Sequence, residues 1–182
     1  MRYTWVTMLQ LRKMIINRPV LSLRTGGVIA TATTPIINPN NLKIEGFYCN
    51  DKFSKAPLVL LTQDIRDMLP QGFVVNDHDV LVPPEELIRL KEVLATNFEI
   101  IDKPVYTVNK KRLGKINDFA ADSETMYIQK LYVGQSLLKS LSGGQLSVDR
   151  SQIVEITDRK IIINDPLQPI KDSVPLAAPA VS

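Results

Sequence analysis

The sequence lacks the features on which several large classes of protein depend. It contains one cysteine, Cys49, so no disulfide can form within the chain and nothing points to an oxidising compartment. It has a single histidine, and aromatic residues make up 6% of it. No run of about 18 apolar residues is present, so the sequence predicts no transmembrane helix. Because Gln10, Arg12 and Lys13 interrupt the apolar residues near its start, we predict no signal peptide and a cytoplasmic location.

The remaining composition is typical of a globular protein. The chain has 182 residues, of which 45% are hydrophobic and 23% are charged, so it is long enough and apolar enough to form a core. This length suits one ordinary domain or two small ones. The net charge of +3 permits a nucleic acid or an acidic protein as partner but requires neither.

An internal repeat organises the sequence. The string "NRPVLSLRTGGVI" (Asn17–Ile29) resembles "DKPVYTVNKKRLGKI" (Asp102–Ile116), and we align Gly27 with Gly114. A repeat found early decides the fold that is predicted, because each copy is then expected to be one structural unit.

Two further matches follow in the same order. "LKIEGFY" (Leu42–Tyr48) resembles "MYIQKLY" (Met126–Tyr132), and "TQDIRDM" (Thr62–Met68) resembles "RSQIVEI" (Arg150–Ile156). All the offsets lie between 84 and 88 residues. This small drift predicts matched strands that are separated by loops of slightly different length.

The pattern within each copy predicts strands. Short β-branched or alternating segments are bounded by Gly, Pro and Asn, which favours many short strands in a small barrel or sandwich. We predict one unit over residues 9–82, a linking helix over 83–97 that ends at Asn97, and a second unit over 98–165. The proline-rich and alanine-rich tail, residues 166–182, is predicted to be disordered.

These strings resemble the PRC-barrel family. The resemblance lies in "RPVLSL…GGVI" and "KPVYTV…LGKIND", followed in the second copy by "YIQKLYV" and "SQIVEITDRKIIIND". The family includes a domain of the photosynthetic reaction-centre H subunit and the C-terminal domain of the RimM-type ribosome-maturation factor. The resemblance implies a mainly β fold of two tandem small PRC-type β-barrels joined by a short helix. It also implies an interaction or assembly module, and it brings no catalytic residues.

The string "LSGGQ" (Leu141–Gln145) matches the signature loop of ABC-type ATPases. That loop works with a phosphate-binding Walker A loop, and the chain contains no G-x-x-x-x-G-K-[S/T]. We therefore interpret the string as a glycine turn before a strand.

The few metal-binding and nucleophilic residues do not form a recognisable motif. His78 lies between Asp77 and Asp79, but neighbouring residues of a strand point to opposite faces and rarely bind one ion. Cys49 and His78 would need an orienting group and an oxyanion site to act as nucleophile and base. We interpret the first group as a polar turn and Cys49 as a small core residue, and we predict no enzyme, no metal site and no cofactor.

The best candidate for partner binding is a basic turn. It contains Lys110, Lys111 and Arg112, with Lys115 close by in the sequence. Such a turn can contact phosphates or carboxylates through charge, although charged turns also serve solubility alone. Lys103 and Lys130 are candidates to extend it.

From these observations we predict a non-catalytic interaction module. Its partner is expected to be a protein that binds an exposed strand edge or a barrel groove. The alternative is an assembly factor associated with RNA or the ribosome, which rests on the family analogy and the basic turn. Association with a membrane surface has less support, because no basic amphipathic helix is predicted.

Overall fold

The computed structural model describes residues 8–134 and 145–165, and it confirms a mainly β protein. The described chain opens with strand β1 (Leu9–Leu11) and a single helical turn, α1 (Arg12–Ile15). The first sheet is then built from β2 (Arg18–Ser22), β3 (Val28–Asn38), β4 (Lys43–Asp51), β5 (Pro57–Leu61), β6 (Asp67–Leu69), β7 (Gly72–Val75) and β8 (Leu81–Val82). Its strand order is β6-β7-β2-β3-β4-β5-β8.

The segment that links the sheets contains less α-helix than we predicted for residues 83–97. Two 3₁₀ turns, Pro84–Glu86 and Ile88–Leu90, precede helix α2 (Lys91–Thr96). The backbone of Leu87 leaves the helical region, with ψ of 64°, and this separates the turns. The predicted end is confirmed, since Asn97 is left-handed with φ of 42° and its N–H donates to the carbonyl of Leu94.

The second sheet repeats this arrangement. Its strands are β9 (Pro104–Thr107), β10 (Arg112–Asp122), β11 (Ile128–Gly134), β12 (Leu146–Asp149), β13 (Ile153–Ile156) and β14 (Ile161–Ile163). They lie in the order β12-β11-β10-β9-β14-β13, and β1 also pairs with β10. Strands β9 and β14 are parallel, as β2 and β7 are in the first sheet.

The correspondence between the sheets extends to their irregularities. Thr33 is an extra residue on β3 opposite β4, and Asn117 is an extra residue on β10 opposite β11. Our alignment of Gly27 with Gly114 was wrong: Gly114 pairs with Val105 as Ala30 pairs with Val20, so Ala30 is the counterpart of Gly114. Glycine spacing misled the alignment because the turns between the paired strands differ in length.

Neither sheet forms a closed ring of paired strands within residues 8–134 and 145–165. Strands β6 and β8 end the first sheet, and β12 and β13 end the second. The structure therefore shows two sheets in a mainly β chain, and it does not confirm two tandem closed barrels. The start of the first unit also differs, because β1 (Leu9–Leu11) lies in the second sheet.

The two sheets meet at an approximately two-fold seam. The N–H of Ile44 donates to the carbonyl of Met126, and the N–H of Ile128 donates to that of Leu42, both at 2.9 Å. Leu42 and Met126 are both left-handed, with φ of 52° and 59°. The buried side chains of both halves form one continuous hydrophobic core, so the sheets are joined by packing as well as by backbone pairing.

Candidate interaction surface

The predicted basic turn connects β9 to β10, and hydrogen bonds with Thr107 fix its backbone. Thr107, which is buried, donates its N–H to the carbonyl of Lys111 at 2.9 Å, and its hydroxyl accepts the N–H of Lys111 at 3.3 Å. The N–H of Lys110 donates to the carbonyl of Thr107 at 2.9 Å, and Lys110 is left-handed with φ of 63°. The backbone is thus fixed while the basic side chains point away from the core.

Lys110, Lys111, Arg112 and Lys115, which we call the basic hairpin surface, are all exposed. No acidic side chain in the described part of the chain forms a salt bridge with any of the four. Residues 103–117 contain five Lys or Arg and no Asp or Glu, whereas the net charge of the whole chain is only +3. Positive charge is therefore concentrated on this hairpin.

The two lysines that were candidates to extend the surface are engaged elsewhere. The Nζ of Lys103 donates to the carbonyl of Asp158 at 2.6 Å and lies 4.5 Å from the ring centre of Phe98. Lys130 pairs with Asp149 at 2.9 Å, and the hydrogen bond from its ammonium to that carboxylate raises its pKa. Lys130 is therefore neutralised by a carboxylate, whereas the ammonium of Lys103 is held in place by neutral groups.

The matching turn of the first half has its charge compensated. The Nε of Arg24 lies 2.5 Å from a carboxylate oxygen of Asp77, and the hydroxyl of Ser22 donates to the other oxygen at 3.2 Å. The backbone N–H of His78, followed by Arg24 and Ser22, holds the pKa of Asp77 below its usual range against a smaller effect of burial. The fold itself therefore does not require an uncompensated basic turn.

The sheets also differ at the edge beside β5 and its counterpart β12. In the first sheet β8 covers this edge, pairing Leu81 with Leu60. Leu60 corresponds to Val148, because each pairs with an equivalent residue of the preceding long strand. Among the described residues no strand pairs with the outer edge of β12.

Cys49 and His78 do not form a nucleophile and base. Cys49 is buried, and burial raises the pKa of its thiol to about 11. The Nε2 of His78 lies 2.8 Å from Asp51, whose carboxylate is only 1% exposed. Burial opposes ionisation of Asp51, but hydrogen bonds from His78 and from the backbone N–H of Phe53 hold its pKa below the usual range.

An apolar cavity of about 280 Å³ lies between α2 and β3. Its walls include Ile36, Ile37, Leu94, Phe98 and Phe119. A cleft of this kind can take a small apolar group, and Arg12, Glu99 and Asp102 also line it. Sequence reasoning missed it because it depends on how α2 crosses the first sheet.

Several predicted sites lie partly or wholly outside the described residues. Leu141–Gly144 of the "LSGGQ" string is one of them, while the side chain of Gln145 donates to that of Asn117 at 3.0 Å. The tail, residues 166–182, which we predicted to be disordered, also lies outside the described residues. Within residues 8–134 and 145–165, no three His, Cys, Asp or Glu side chains are grouped to hold a metal. No helix in those ranges has the length and apolarity to cross a membrane.

No protein-family model matches the sequence, and no curated protein matches it significantly. The two candidate interaction surfaces are the basic hairpin and the outer edge of β12.

Proposed function

We propose that the protein is a non-catalytic interaction module, built of two PRC-type units, that binds a protein partner by strand addition to β12. The observation that carries this proposal is the difference between β5 and β12. The first sheet completes its edge with β8, whereas the second sheet leaves the matching backbone groups without a strand among the described residues. Exposed edges of this kind accept extended segments through main-chain hydrogen bonds.

The local residues suit such pairing. Val148 is buried and anchors β12 against the core, while Ser147 is exposed. Strand β12 contains neither proline nor lysine, the residues that commonly protect a natural edge from pairing. A partner strand would take the place that β8 occupies on β5.

Site-specific photocrosslinking tests this proposal. A photoreactive residue is placed at Ser147 or, as the control, at Lys91, which is exposed on α2. In the cells that make the protein, we expect one discrete protein adduct at position 147 and none at 91. The absence of an adduct at 147, or the same adducts at both positions, would contradict strand addition at β12.

Association with RNA or the ribosome is the alternative. It draws on the basic hairpin surface, since Lys and Arg neutralise phosphates. Single-stranded RNA also requires aromatic side chains on which bases stack, and the aromatic residue next to Arg112 across the strands, Tyr106, is half-buried. The geometry therefore favours a protein partner.

A further inference from the structure

We propose that the basic hairpin surface binds an acidic polypeptide segment. The proposal rests on the function above, because it gives the chemistry of the protein partner. It names a second contact point, separate from β12, where charge rather than backbone pairing provides recognition.

The positive charge of the basic hairpin surface is not neutralised by carboxylates within the described residues. Lys110, Lys111, Arg112 and Lys115 form no salt bridge within the described residues, although other bases of the chain do. Arg24, in the equivalent turn, has its own carboxylate in Asp77. An acidic partner would neutralise the charge of the second turn, as Asp77 neutralises that of Arg24 in the first turn.

The backbone of the basic turn is held rigidly. Buried Thr107 holds the turn by three hydrogen bonds: it donates one to Lys111 and accepts one each from Lys111 and Lys110. A fixed backbone lowers the entropy that is lost when side chains are ordered by a ligand.

The spacing of the basic residues also suits an acidic strand. A β-bulge lies between Arg112 and Lys115, which pair with Tyr106 and Pro104 of β9, so they are about 7 Å apart along the strand. Acidic residues at alternate positions of an extended segment lie about 7 Å apart on one face, so two or three of them span this surface. Because Tyr106, the aromatic residue paired with Arg112, is half-buried, a carboxylate-bearing ligand fits better than a chain of bases.

The test is fluorescence anisotropy with the full chain and a labelled short peptide in which Glu alternates with Ser. Its uncharged analogue replaces Glu with Gln, and a single-stranded RNA and a duplex RNA serve as competing probes. We expect saturable binding of the acidic peptide that weakens as salt is added, and none of the analogue. The triple variant K110A/K111A/R112A should weaken binding about tenfold, since each exposed charge contributes modestly.

The matched control is K52A/K55A/K91A, which removes three exposed lysines elsewhere. We expect it to retain wild-type binding, and K110R/K111R to retain it also. Thermal unfolding should be unchanged in all variants, because every altered side chain is exposed. Absence of saturable peptide binding, equal loss in both triple variants, or tighter binding of either RNA than of the peptide would overturn the proposal.

The two proposals fail separately. If the adduct at Ser147 forms equally well with K110A/K111A/R112A and the peptide does not bind, the edge of β12 is the contact and the basic surface is not. If the peptide binds through the basic surface and no adduct forms at Ser147, only strand addition is wrong.

Discussion

The two halves of the molecule have the same strand order, yet the segments that precede them fold differently. Strand β1 precedes the first sheet and pairs with β10 of the second, whereas α2 precedes the second sheet and packs as a helix against β3 of the first. Each leading segment thus covers the opposite half. The difference shows that a repeated topology does not fix the structure of the segments around it.

Backbone donors explain why one leading segment is a strand. The N–H of Ser123 donates to the carbonyl of Met8 at the end of the β1–β10 pairing. Its counterpart in the first half is Pro39, and the counterpart of Phe119 is Pro35. Proline has no N–H, so the equivalent edge of β3 lacks the donor that Ser123 gives to Met8 and pairs poorly with a strand there, whereas the N–H of Phe119 donates to the carboxylate of Asp118. A helix, which satisfies its own backbone, covers it instead.

The largest expected effect comes from exchanging the counterparts Ala30 and Gly114. Gly114 has φ of 155°, and a Cβ there would overlap the carbonyl oxygen of Gly134, whereas Ala30 is accommodated in its sheet. Gly114→Ala should lower the free energy of unfolding by about 3 kcal/mol, since backbone must move. Ala30→Gly should cost about 1 kcal/mol.

Urea denaturation measures both changes. Gly27→Ala is the control, because a Cβ there meets nothing closer than 3.8 Å, and it should be nearly neutral. Equal losses for Ala30→Gly and Gly114→Ala would mean that the two positions are structurally alike, contrary to the crowding at Gly114.

Much of this correspondence was readable from the sequence, but its exceptions were not. The pairs Ile44 with Ile128 and Thr62 with Arg150 were aligned correctly, because strands with fixed offsets retain their periodic pattern. The pairing of β1 with the distant β10 depends on contacts across the whole chain, which local patterns do not encode. The position of the basic turn follows from the sequence alone. That its side chains form no salt bridge within the described residues is visible only in the structure.

The next largest effect concerns the seam between the two sheets, where Arg150 is the counterpart of Thr62. The guanidinium of Arg150 donates to the carbonyl of Asn41 at 2.5 Å and lies 4.9 Å from the ring centre of Tyr127. The Thr62 hydroxyl donates to the carbonyls of Ile44 and Glu45, both at 3.2 Å and both within the first half. Arg150→Thr should therefore cost about 1–2 kcal/mol in urea denaturation.

Thr62→Ser, which keeps the hydroxyl, is the matched control and should change the free energy of unfolding by less than about 1 kcal/mol. If Arg150→Thr is equally mild, the contact across the seam does not stabilise the joined halves.

A smaller, pH-dependent effect should distinguish Asp122 from its counterpart Asn38. Both side chains accept backbone N–H groups in equivalent turns, from Glu124 and Thr125 in one and from Asn40 in the other. Burial opposes ionisation of Asp122, but these donors together hold its pKa below the usual range. Its contribution is therefore present above the unfolded pKa of about 4 and is lost as the pH falls through the lowered folded pKa.

Asp122→Asn tests this directly, because it copies the first half. Its free energy of unfolding, followed from neutral to acid pH, should fall less steeply below about pH 4 than that of the wild type. Asp67→Asn, at an exposed position, is the control and should follow the wild type. Parallel curves for Asp122→Asn and wild type would show that the carboxylate is not preferentially stabilised in the folded state.

The smallest effect is expected at Cys49, whose counterpart in the second sheet is Val133. The two residues occupy equivalent positions opposite the extra residues of β3 and β10, and both are buried. Cys49→Val should change the free energy of unfolding by less than about 1 kcal/mol, because a buried thiol behaves as a small apolar group. The wild-type thiol, with its pKa raised to about 11 by burial, should react with a thiol reagent at neutral pH only as fast as the protein unfolds. Rapid native-state labelling of Cys49, or a large loss on Cys49→Val, would show that this position has a role that Val133 does not share.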